Sequence, residues 1–427
     1  MTVTPTVLLF TTTVGYQVRA FDLAAQEAGV RLRVVSDRCD QLTDPWGDRA
    51  IPARFDQDPA LVARALASIG EGAVDGVLAV GDRPAWLAAA VAQARGLPWH
   101  APDAVAIATH KLRARGRLLA SGLPVPWFVS IPARGDDDVD RLTRVRFPCV
   151  VKPVGLSASR GVIRVDSYDQ LMAARARIAA LLDRADVHAA TSAPDDVLLV
   201  EAFVPGREYA VDGVLEQGAL RVFALFEKPE PLDGPYFEES IYVTPARVLP
   251  AQQQRIAGTI ARAALALGLH HGPIHAECRL GPDGEVMVLE VAPRPIGGLC
   301  ARAVPVVLPD RSRGSLEDVL LAHALGRPLD GYGHEAIASG VLMLPVRSAG
   351  RLREVLGVEA ARAIPGVSSV EIVARQGALL ERLPEGGTYP GFVFATGAQP
   401  DDVIAALQAA RATISLVVDR TLPVTVA

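Results

Sequence analysis

Residues 274–298 read IHAECRLGPDGEVMVLEVAPRPIGG, and this stretch of the 427-residue chain decides the fold. It contains two apolar runs, residues 274–280 and 286–291, on either side of Gly-Pro-Asp-Gly at 281–284. Glycine, proline and aspartate favour turns, so the pattern predicts a β-hairpin whose loop is these four residues. Because side chains alternate along a strand, every second residue of each run shares one face.

One face of this hairpin would carry two glutamates. With a four-residue loop, Glu277 faces Val288 and Glu290 faces His275. The two carboxylates are then diagonal neighbours, about 7–8 Å apart at their backbones. His275 shares their face, either as a substrate contact or as a hydrogen-bonded structural histidine.

These glutamates need a partner, because an unpaired buried charge on an apolar strand is very costly. Oxygen-only ligands suit Mg²⁺, which commonly takes one or two carboxylates together with substrate phosphates. Arg294 follows Glu290 by four residues, beyond Pro293 and before a Gly-Gly pair, so we expect it on the turn that leaves the second strand. A pair of metal-binding carboxylates beside a guanidinium indicates a site for phosphate chemistry.

The composition is that of a globular chain of two or three domains. Hydrophobic residues make up 50% of it, charged residues 21%, and the net charge is −5. No dense basic run is present, which argues against a general nucleic-acid surface. No apolar run approaches ~18 residues, so no membrane span is expected. The start MTVTPTVLLFTTT has no positively charged region, which predicts a first strand rather than a signal peptide.

The cysteines have neither zinc-site spacing nor a disulfide framework, which indicates a reducing cytoplasm. They are Cys39, Cys149, Cys278 and Cys300.

About the first 105 residues alternate short buried strands with helices. Strands are predicted at residues 7–10, 32–36 and 76–80, and helices at 18–28 and 83–95. This alternation predicts a parallel, doubly wound α/β domain, whose ligands bind at the carboxyl ends of the strands. Residues 11–15 and 81–83 would lie at that edge.

Mixed α and β structure is predicted for the rest of the chain. The predicted strands are residues 148–152, 197–202, 208–215, 220–226 and 340–345, and the predicted helices are 171–183, 252–267 and 316–325. The polar residues 186–196 predict a flexible connection.

A lysine ends an apolar strand in Val150-Val151-Lys152-Pro153, and a loop of small residues follows at 155–161. Backbone N–H groups of such a loop can approach phosphates closely, while the ammonium offsets their charge. A plain turn is the alternative.

Two glutamates flank a turn at Pro205-Gly206. Glu201 ends one strand and Glu208 begins the next, so the segment could offer backbone groups to a nucleobase and a carboxylate to a ribose. The alternative is an ordinary surface hairpin with exposed glutamates.

Two further lysines are by themselves typical of solvated lysines. They are Lys111, which opens a helix-like run, and Lys228, which stands before a Pro/Gly-rich loop.

The order of these elements resembles the ATP-grasp superfamily over the whole chain. A lysine, a lysine strand with a small-residue loop, a Glu–Pro-Gly–Glu hinge, a Glu/Glu hairpin and an arginine follow one another. The resemblance implies an ATP-grasp fold with an N-terminal doubly wound parallel α/β domain, a small mobile lid and a C-terminal antiparallel-sheet domain. It implies boundaries at 1–105, 106–205 and 206–427, the last with an α+β subdomain from about 340.

The resemblance also implies which residues bind ATP. The implied contacts are Lys111, Lys152 and Lys228 with the phosphates; Ser157, Ser159 and Gly161 in the loop that covers them; Glu201, Ala202 and Val204 with adenine; and Glu208 with ribose. Glu277 and Glu290 would ligate Mg²⁺, for which Mn²⁺ could substitute. Arg294 would stabilise a phosphorylated intermediate.

Three segments are most similar to the carboxylate–amine ligases of the L-amino-acid ligase (dipeptide synthetase) group. They are EKPEPLDGPYFEES at 227–240, EVAPRPIGG at 290–298, and residues 383–410. One position departs from the superfamily pattern. Many members carry asparagine two residues after the second metal glutamate, as a further Mg²⁺ ligand, and here that residue is Ala292.

This resemblance implies an ATP-dependent ligase that joins a small-molecule carboxylate, such as an amino acid, to an amine through an acyl phosphate. Lys228 and Arg294 would assist catalysis, and Glu239 either binds the substrate ammonium or is a solvent-facing acid. The alternatives are a biotin-carboxylase-like or purine-biosynthesis-like enzyme, or a non-catalytic ATP-binding protein. We expect no nucleic-acid or membrane partner, a cytoplasmic location, and a homodimer as the default assembly.

Overall fold

The computed structural model describes residues 4–12, 17–37, 47–135, 139–190 and 196–419. Three earlier predictions fall partly or wholly outside these ranges. They concern Cys39, residues 13–15 of the predicted ligand loop, and residues 191–195 of the predicted connection.

The N-terminal region is a parallel sheet with helices packed against it, which confirms the prediction from the strand–helix alternation. Its elements are β1 (Thr6–Thr11), α1 (Val18–Glu27), β2 (Arg31–Ser36), β3 (Ala50–Pro52), α2 (Pro59–Ile69), β4 (Gly76–Val80), α3 (Asp82–Arg95) and α4 (Pro102–Ala108). The strand order is β3-β2-β1-β4. Every residue of β1 is buried, as expected for a central strand of a parallel sheet. Asp82 begins α3 directly beyond the carboxyl end of β4.

A second sheet, which we call the lid sheet, has four antiparallel strands in the order β5-β8-β6-β7. Its region comprises α5 (Lys111–Ala120), β5 (Phe128–Pro132), α6 (Val139–Leu142), β6 (Cys149–Pro153), β7 (Ile163–Val165), α7 (Tyr168–Leu182), α8 (Ala185–Ala190) and β8 (Val197–Ala202). Helix α7 packs on the sheet through Leu171 and Ile178. Helix α8 occupies part of the predicted flexible connection, so that prediction is wrong for residues 186–190.

The largest sheet is antiparallel, with the order β13-β12-β9-β10-β11-β17-β21-β19. Its first part contains β9 (Arg207–Glu216), β10 (Ala219–Lys228), β11 (Ile241–Thr244), α9 (Pro250–Ala266), β12 (Gly272–Leu280) and β13 (Val286–Ala292). Helix α9 packs against the β12–β13 side through Ile256 and Ile260, which are fully buried.

The C-terminal elements extend this sheet and add two small ones. They are β14 (Val306–Val307), β15 (Arg313–Gly314), α10 (Leu316–Ala324), β16 (Gly333–His334), β17 (Ala338–Met343), β18 (Gly350–Leu356), α11 (Val358–Arg362), β19 (Val367–Ile372), β20 (Leu379–Leu380), β21 (Gly391–Gly397), α12 (Pro400–Thr413) and β22 (Ser415–Asp419). The small sheets have the orders β15-β14-β16 and β20-β18-β22. No helix in the described part of the chain is long and apolar enough to cross a membrane.

The β12–β13 hairpin forms, but its register differs from the prediction. Leu280 pairs with Val286, so the loop has five residues rather than four. The five-residue loop is closed by a hydrogen bond in which Gly281 N–H donates to the Glu285 carbonyl at 2.9 Å. A bulge between Glu277 and Cys278 shifts the ladder again.

The bulge changes the relation between the two predicted metal ligands. Glu277 pairs directly with Glu290, and His275 pairs with Ala292. The predicted diagonal arrangement of the glutamates is therefore wrong. The bulge brings the two residues into direct cross-strand opposition, the shortest backbone separation that neighbouring strands offer.

Candidate active site

The three sheets surround one cavity of about 410 Å³, a volume typical of small-molecule sites. It is lined from the N-terminal region by Asp82 at the start of α3, from the lid sheet by Lys152, and from the large sheet by Glu277. Of the site residues predicted from the sequence, all but Gly161 and Lys228 line this cavity.

Glu201 is fixed by two cations on the lid-sheet side of the cavity. Its carboxylate accepts from Arg115 Nε at 3.0 Å and forms an ion pair with Lys152. Burial raises the pKa of Glu201, but Arg115 and Lys152 outweigh it and lower the pKa below its ordinary value. Glu201 and Glu208 are both buried, so the alternative of exposed surface glutamates is wrong.

Aromatic rings lie in and beside the segment between Glu201 and Glu208. Phe203 stacks on Phe237 with ring centroids 6.5 Å apart, and the Arg279 guanidinium lies 5.2 Å from the Phe203 centroid. Arg279 also donates to the Val204 carbonyl at 2.6 Å. The cavity therefore has flat apolar walls at this end, as a nucleobase requires.

Two lysines and a tight loop lie further along the cavity. Lys111 Nζ donates to the Leu156 carbonyl at 2.5 Å and lies 3.8 Å from a Glu290 oxygen. Burial lowers the pKa of Lys152 despite its Glu201 partner.

The loop that follows Lys152 has left-handed backbone at Ala158 and Ser159, with φ of 55° and 56°. Gly161 has φ +71°, and a Cβ there would lie 2.9 Å from Pro153 Cδ. Glycine is therefore required at that position.

Lys228 is buried, because strand β10 continues to this residue. The interpretation of Lys228 as a solvated lysine is therefore wrong. The ammonium lies 2.6 Å from Glu208, 2.6 Å from Glu239 and 2.7 Å from Glu277. Burial lowers the pKa of Lys228, but the three carboxylates outweigh it and raise the pKa well above its ordinary value. The Tyr242 ring lies 4.9 Å from the ammonium.

This carboxylate cluster has the donor chemistry of a divalent-cation site. Oxygens of Glu208, Glu239 and Glu277 lie within 4.8 Å of one another. Glu290 faces the same cavity from the strand position opposite Glu277. The Lys228 ammonium offsets the negative charge of the cluster, as a hard cation with oxygen ligands would. Because Lys228 occupies the centre of the cluster, the carboxylates that would hold Mg²⁺ are Glu277 and Glu290, whose oxygen donors suit this ion, and Ala292 offers it no further ligand.

Glu239 differs from Glu277, whose pKa is lowered well below its ordinary value, chiefly because Lys228 outweighs the effect of burial. Burial raises the pKa of Glu239 to about 7, even though Lys228 lowers it. Its side chain is 21% exposed and lines the cavity, so the alternative of a solvent-facing acid is wrong.

Arg294 is held by a residue of the N-terminal sheet. Its Nε donates to Asp82 Oδ1 at 2.8 Å, and Nη2 donates to Oδ2 at 3.3 Å. Burial raises the pKa of Asp82, but Arg294 outweighs it and the pKa is lowered. The guanidinium therefore has a fixed orientation at the carboxyl end of β4, the edge where ligands were expected.

His275 is hydrogen-bonded, as the structural interpretation expects, and it also lines the cavity. Its Nδ1 lies 3.0 Å from Asp212 on the paired strand β9, and its Nε2 lies 3.7 Å from Glu277. Burial lowers the pKa of His275, but Asp212 and Glu277 raise it to about 9. The ring is thus a part of the cavity wall that is hydrogen-bonded to Asp212.

Sequence reasoning placed Asp82 at the ligand edge without its partner Arg294, and it missed four residues of the site, namely Arg115, Asp212, Tyr242 and Arg279. Two of them carried a local signal. Arg115 is four residues after Lys111 on one helix, and Arg279 is two residues after Glu277 on one strand, so each shares a face with a predicted residue.

Two family models match the chain. The model described as "ATP-grasp domain" matches residues 145–303, and the one described as "L-amino acid ligase C-terminal domain 2" matches residues 342–419. Among solved structures, the L-amino acid ligase from Bacillus licheniformis superposes with a TM-score of 0.82 at 23% identity. That alignment covers 97% of this chain and 99% of that chain.

Curated relatives match over shorter regions. Carnosine synthase 1 of Mus musculus is 28% identical over 258 residues, which are 58% of this chain and 31% of that protein. The D-alanine--D-alanine ligase of Hydrogenovibrio crunogenus is 29% identical over 171 residues, 39% of this chain and 50% of that protein. The chain thus spans about half, or less, of the length of these relatives.

Proposed function

We propose that this chain, which has an ATP-grasp domain followed by an L-amino acid ligase C-terminal domain, is an ADP-forming ligase that joins a carboxylate to an amine. One observation carries the proposal. The metal-type pair Glu277 and Glu290, the lysines Lys111 and Lys152, and Arg294 all line a single cavity between three sheets.

The proposed reaction has two steps. A substrate carboxylate oxygen attacks the γ-phosphorus of ATP, ADP leaves, and an acyl phosphate forms. An amine nitrogen then attacks the acyl carbon, phosphate leaves with the bridging oxygen, and the nitrogen loses a proton to give the amide. Both steps require charge neutralisation and alignment of the reactants more than covalent help from side chains.

In this proposal the nucleotide lies along the lid-sheet side of the cavity. Phe203 and Phe237 enclose the base near the backbone of Ala202–Val204, while Glu201 keeps Lys152 in place. Glu208 binds the ribose, with Arg279 Nε donating to its second oxygen at 2.9 Å. The loop containing Ser157, Ser159 and Gly161 covers the phosphates.

Lys111 and Lys152 contact those phosphates directly. Mg²⁺, or Mn²⁺ in its place, would be held by Glu277 and Glu290 and would neutralise phosphate charge. Lys228 acts from behind these carboxylates, because its ammonium fixes Glu277 at 2.7 Å. The resemblance implies that Lys228 contacts the phosphates. For that contact its ammonium would have to move away from Glu208, Glu239 and Glu277.

The carboxylate substrate binds beyond the metal site, between Arg294 and the N-terminal sheet. Arg294 stabilises the acyl phosphate, and Glu239 pairs with the ammonium of an amino acid. The side chains of Cys300, Met343 and Tyr389 form an apolar wall at this end. That wall favours an amino acid with an uncharged side chain.

The alternatives have less support. A ribonucleotide substrate needs unengaged basic groups for its phosphate. Among the described cavity residues, the lysines and arginines are Lys111, Lys152, Arg279 and Arg294, and the proposal already uses each of them for ATP or the acyl phosphate. A decayed ATP-binding protein would not be expected to retain these buried, mutually neutralising charges.

The proposed setting is the cytoplasm, with small molecules as partners and a homodimer as the assembly. Its support is chemical: Cys149, Cys278 and Cys300 are free, buried thiols. Free thiols without disulfides are typical of a reducing compartment.

Phosphate release from Mg-ATP, screened with single and paired amino acids, tests the proposed function. We expect release that requires two substrates and an amide product seen by mass spectrometry. Release that depends on bicarbonate or a ribonucleotide, or no release with any substrate pair, would contradict the proposal.

Glu239→Gln should raise the KM for the amino acid whose ammonium it binds, with the KM for ATP changed by less than about threefold. A hydrogen bond to a charged group is worth about 1.5–3 kcal/mol, or about tenfold to a hundredfold in KM. Glu238→Gln is the control, because Glu238 accepts from Val346 N and does not line the cavity. Equal effects of the two substitutions would rule out the ammonium contact.

A further inference from the structure

A C-terminal segment connects the lid sheet to the substrate end of the cavity. We call residues 381–389, between β20 and β21, the strap. Its last part, Gly387, Thr388 and Tyr389, lines the cavity. Its first part contacts the lid helices and the phosphate-cover loop, so one short segment touches both ends of the site.

Two bidentate arginine–carboxylate pairs join the strap to the lid. Arg177 on α7 donates to Glu385 from Nε at 2.6 Å and from Nη2 at 2.9 Å. Arg184 donates to Glu381 at 2.8 and 2.7 Å. Isolated surface ion pairs contribute little to stability, but this fork geometry fixes the relative orientation of its partners.

The strap also holds the phosphate-cover loop through its backbone. Gly161 N–H donates to the Pro384 carbonyl at 2.9 Å, and Arg160 Nε donates to the Glu385 carbonyl at 2.9 Å. Arg160 lies flat on Gly387, where a Cβ would be 2.5 Å from Arg160 Cδ. The loop therefore cannot lift from the phosphates without breaking these contacts or moving the strap.

Arg177 has a third contact, on the opposite side of the strap. Its Nη1 donates to the Tyr236 hydroxyl, and its guanidinium lies 5.3 Å from the Tyr236 ring centroid. Tyr236 directly precedes Phe237, and Glu239 follows it by three residues; both of these line the cavity. One side chain thus joins the lid, the strap and the loop that carries the proposed ammonium-binding group.

We infer that Arg177 is a positioning residue that makes closure over the phosphates and closure over the amine site a single event. The inference rests on the proposed function. Its consequence is that the acyl phosphate forms only in a cavity closed at both ends. Without Arg177, water attacks the acyl carbon, and carboxylate and phosphate are released without an amide.

The test is the ratio of phosphate released to amide formed at saturating substrates. We expect a ratio near one for the unmodified protein and about fivefold higher for Arg177→Ala, with KM for ATP little changed. Arg134→Ala is the matched control, because Arg134 pairs with Asp183 and Asp196 inside the lid region. An equal ratio for the two variants would overturn the inference.

A double-mutant cycle separates coupling from independent damage. Glu385→Ala should raise the same ratio, and the variant with both substitutions should be no worse than Arg177→Ala alone, because both remove one contact. Additive effects would show that the two residues act separately, which contradicts the inference.

Hydrogen exchange gives a readout that does not depend on amide formation. With Mg-ADP bound, the Gly161 amide should exchange about fivefold faster in Arg177→Ala than in Arg134→Ala, because its acceptor, Pro384, is on the strap. Equal exchange rates would overturn the inference. Absence of amide with faster exchange would instead count against the proposed ligase function alone.

Discussion

Glu290→Gln is expected to reduce phosphate release from Mg-ATP by about a hundredfold to a thousandfold. Glutamine keeps the shape of the side chain but removes one of the two charges that would hold the metal ion against the phosphates. Loss of one preorganised electrostatic contact in a transition state typically costs rate factors of this size. The measurement is steady-state phosphate release with saturating substrates.

Glu290 is a cleaner test position than Glu277. The nearest ion-pair partner of Glu290 is Lys111, whose Nζ lies 3.8 Å away. Glu277, in contrast, accepts a hydrogen bond from Lys228 and lies 3.7 Å from His275 Nε2. The thermal midpoint of Glu290→Gln should therefore stay close to that of the unmodified protein. Glu285→Gln, on the exposed loop of the same hairpin, is the control and should be fully active. Near-normal turnover of Glu290→Gln would rule out the metal assignment.

Arg294→Ala is expected to lower kcat by about a hundredfold to a thousandfold while the dissociation constant for ADP changes only a few-fold. Asp82 fixes the guanidinium inside the cavity, and in the proposed reaction it acts on the charge that develops during transfer. Arg294→Lys should recover little activity, because an ammonium cannot form the two-point contact with Asp82. Single-turnover phosphate release and calorimetry of ADP binding separate the two effects.

Arg83→Ala provides the comparison for Arg294. Arg83 adjoins Asp82 in sequence but pairs with Asp37 at 3.0 Å, and its removal should leave kcat within about twofold. A loss of ADP affinity as large as the loss of kcat in Arg294→Ala would place that residue in nucleotide binding and contradict its assigned role.

The sequence predicted those parts of the fold that depend on local patterns. The predicted strand at residues 76–80 coincides with β4, and that at 197–202 coincides with β8. Each is a short apolar run bounded by loop or turn residues, so both its type and its ends are set locally. The register of the β12–β13 hairpin was predicted wrongly, since a bulge leaves no mark in the pattern of apolar residues.

Most site residues were expected from the resemblance, which follows the order of elements along the chain, whereas the contacts between distant elements could not be predicted. Asp82 and Arg294 are 212 residues apart, and Arg115 and Glu201 are 86 apart, so nothing in either local sequence indicates the pair. Lys228, which by itself is typical of a solvated lysine before a Pro/Gly-rich loop, is buried for a similarly non-local reason. Its burial at the end of β10 depends on carboxylates from β9, β12 and the segment before β11.

Transfer of ¹⁸O from a labelled substrate carboxylate tests the central claim most directly. In the proposed reaction the carboxylate attacks the γ-phosphorus and the amine then displaces phosphate. One phosphate is therefore released for each amide formed, and that phosphate carries a single ¹⁸O. Unlabelled phosphate would contradict the account, because it would mean that water had attacked ATP. Label in AMP would contradict it as well, because it would mean that the carboxylate had attacked the α-phosphorus.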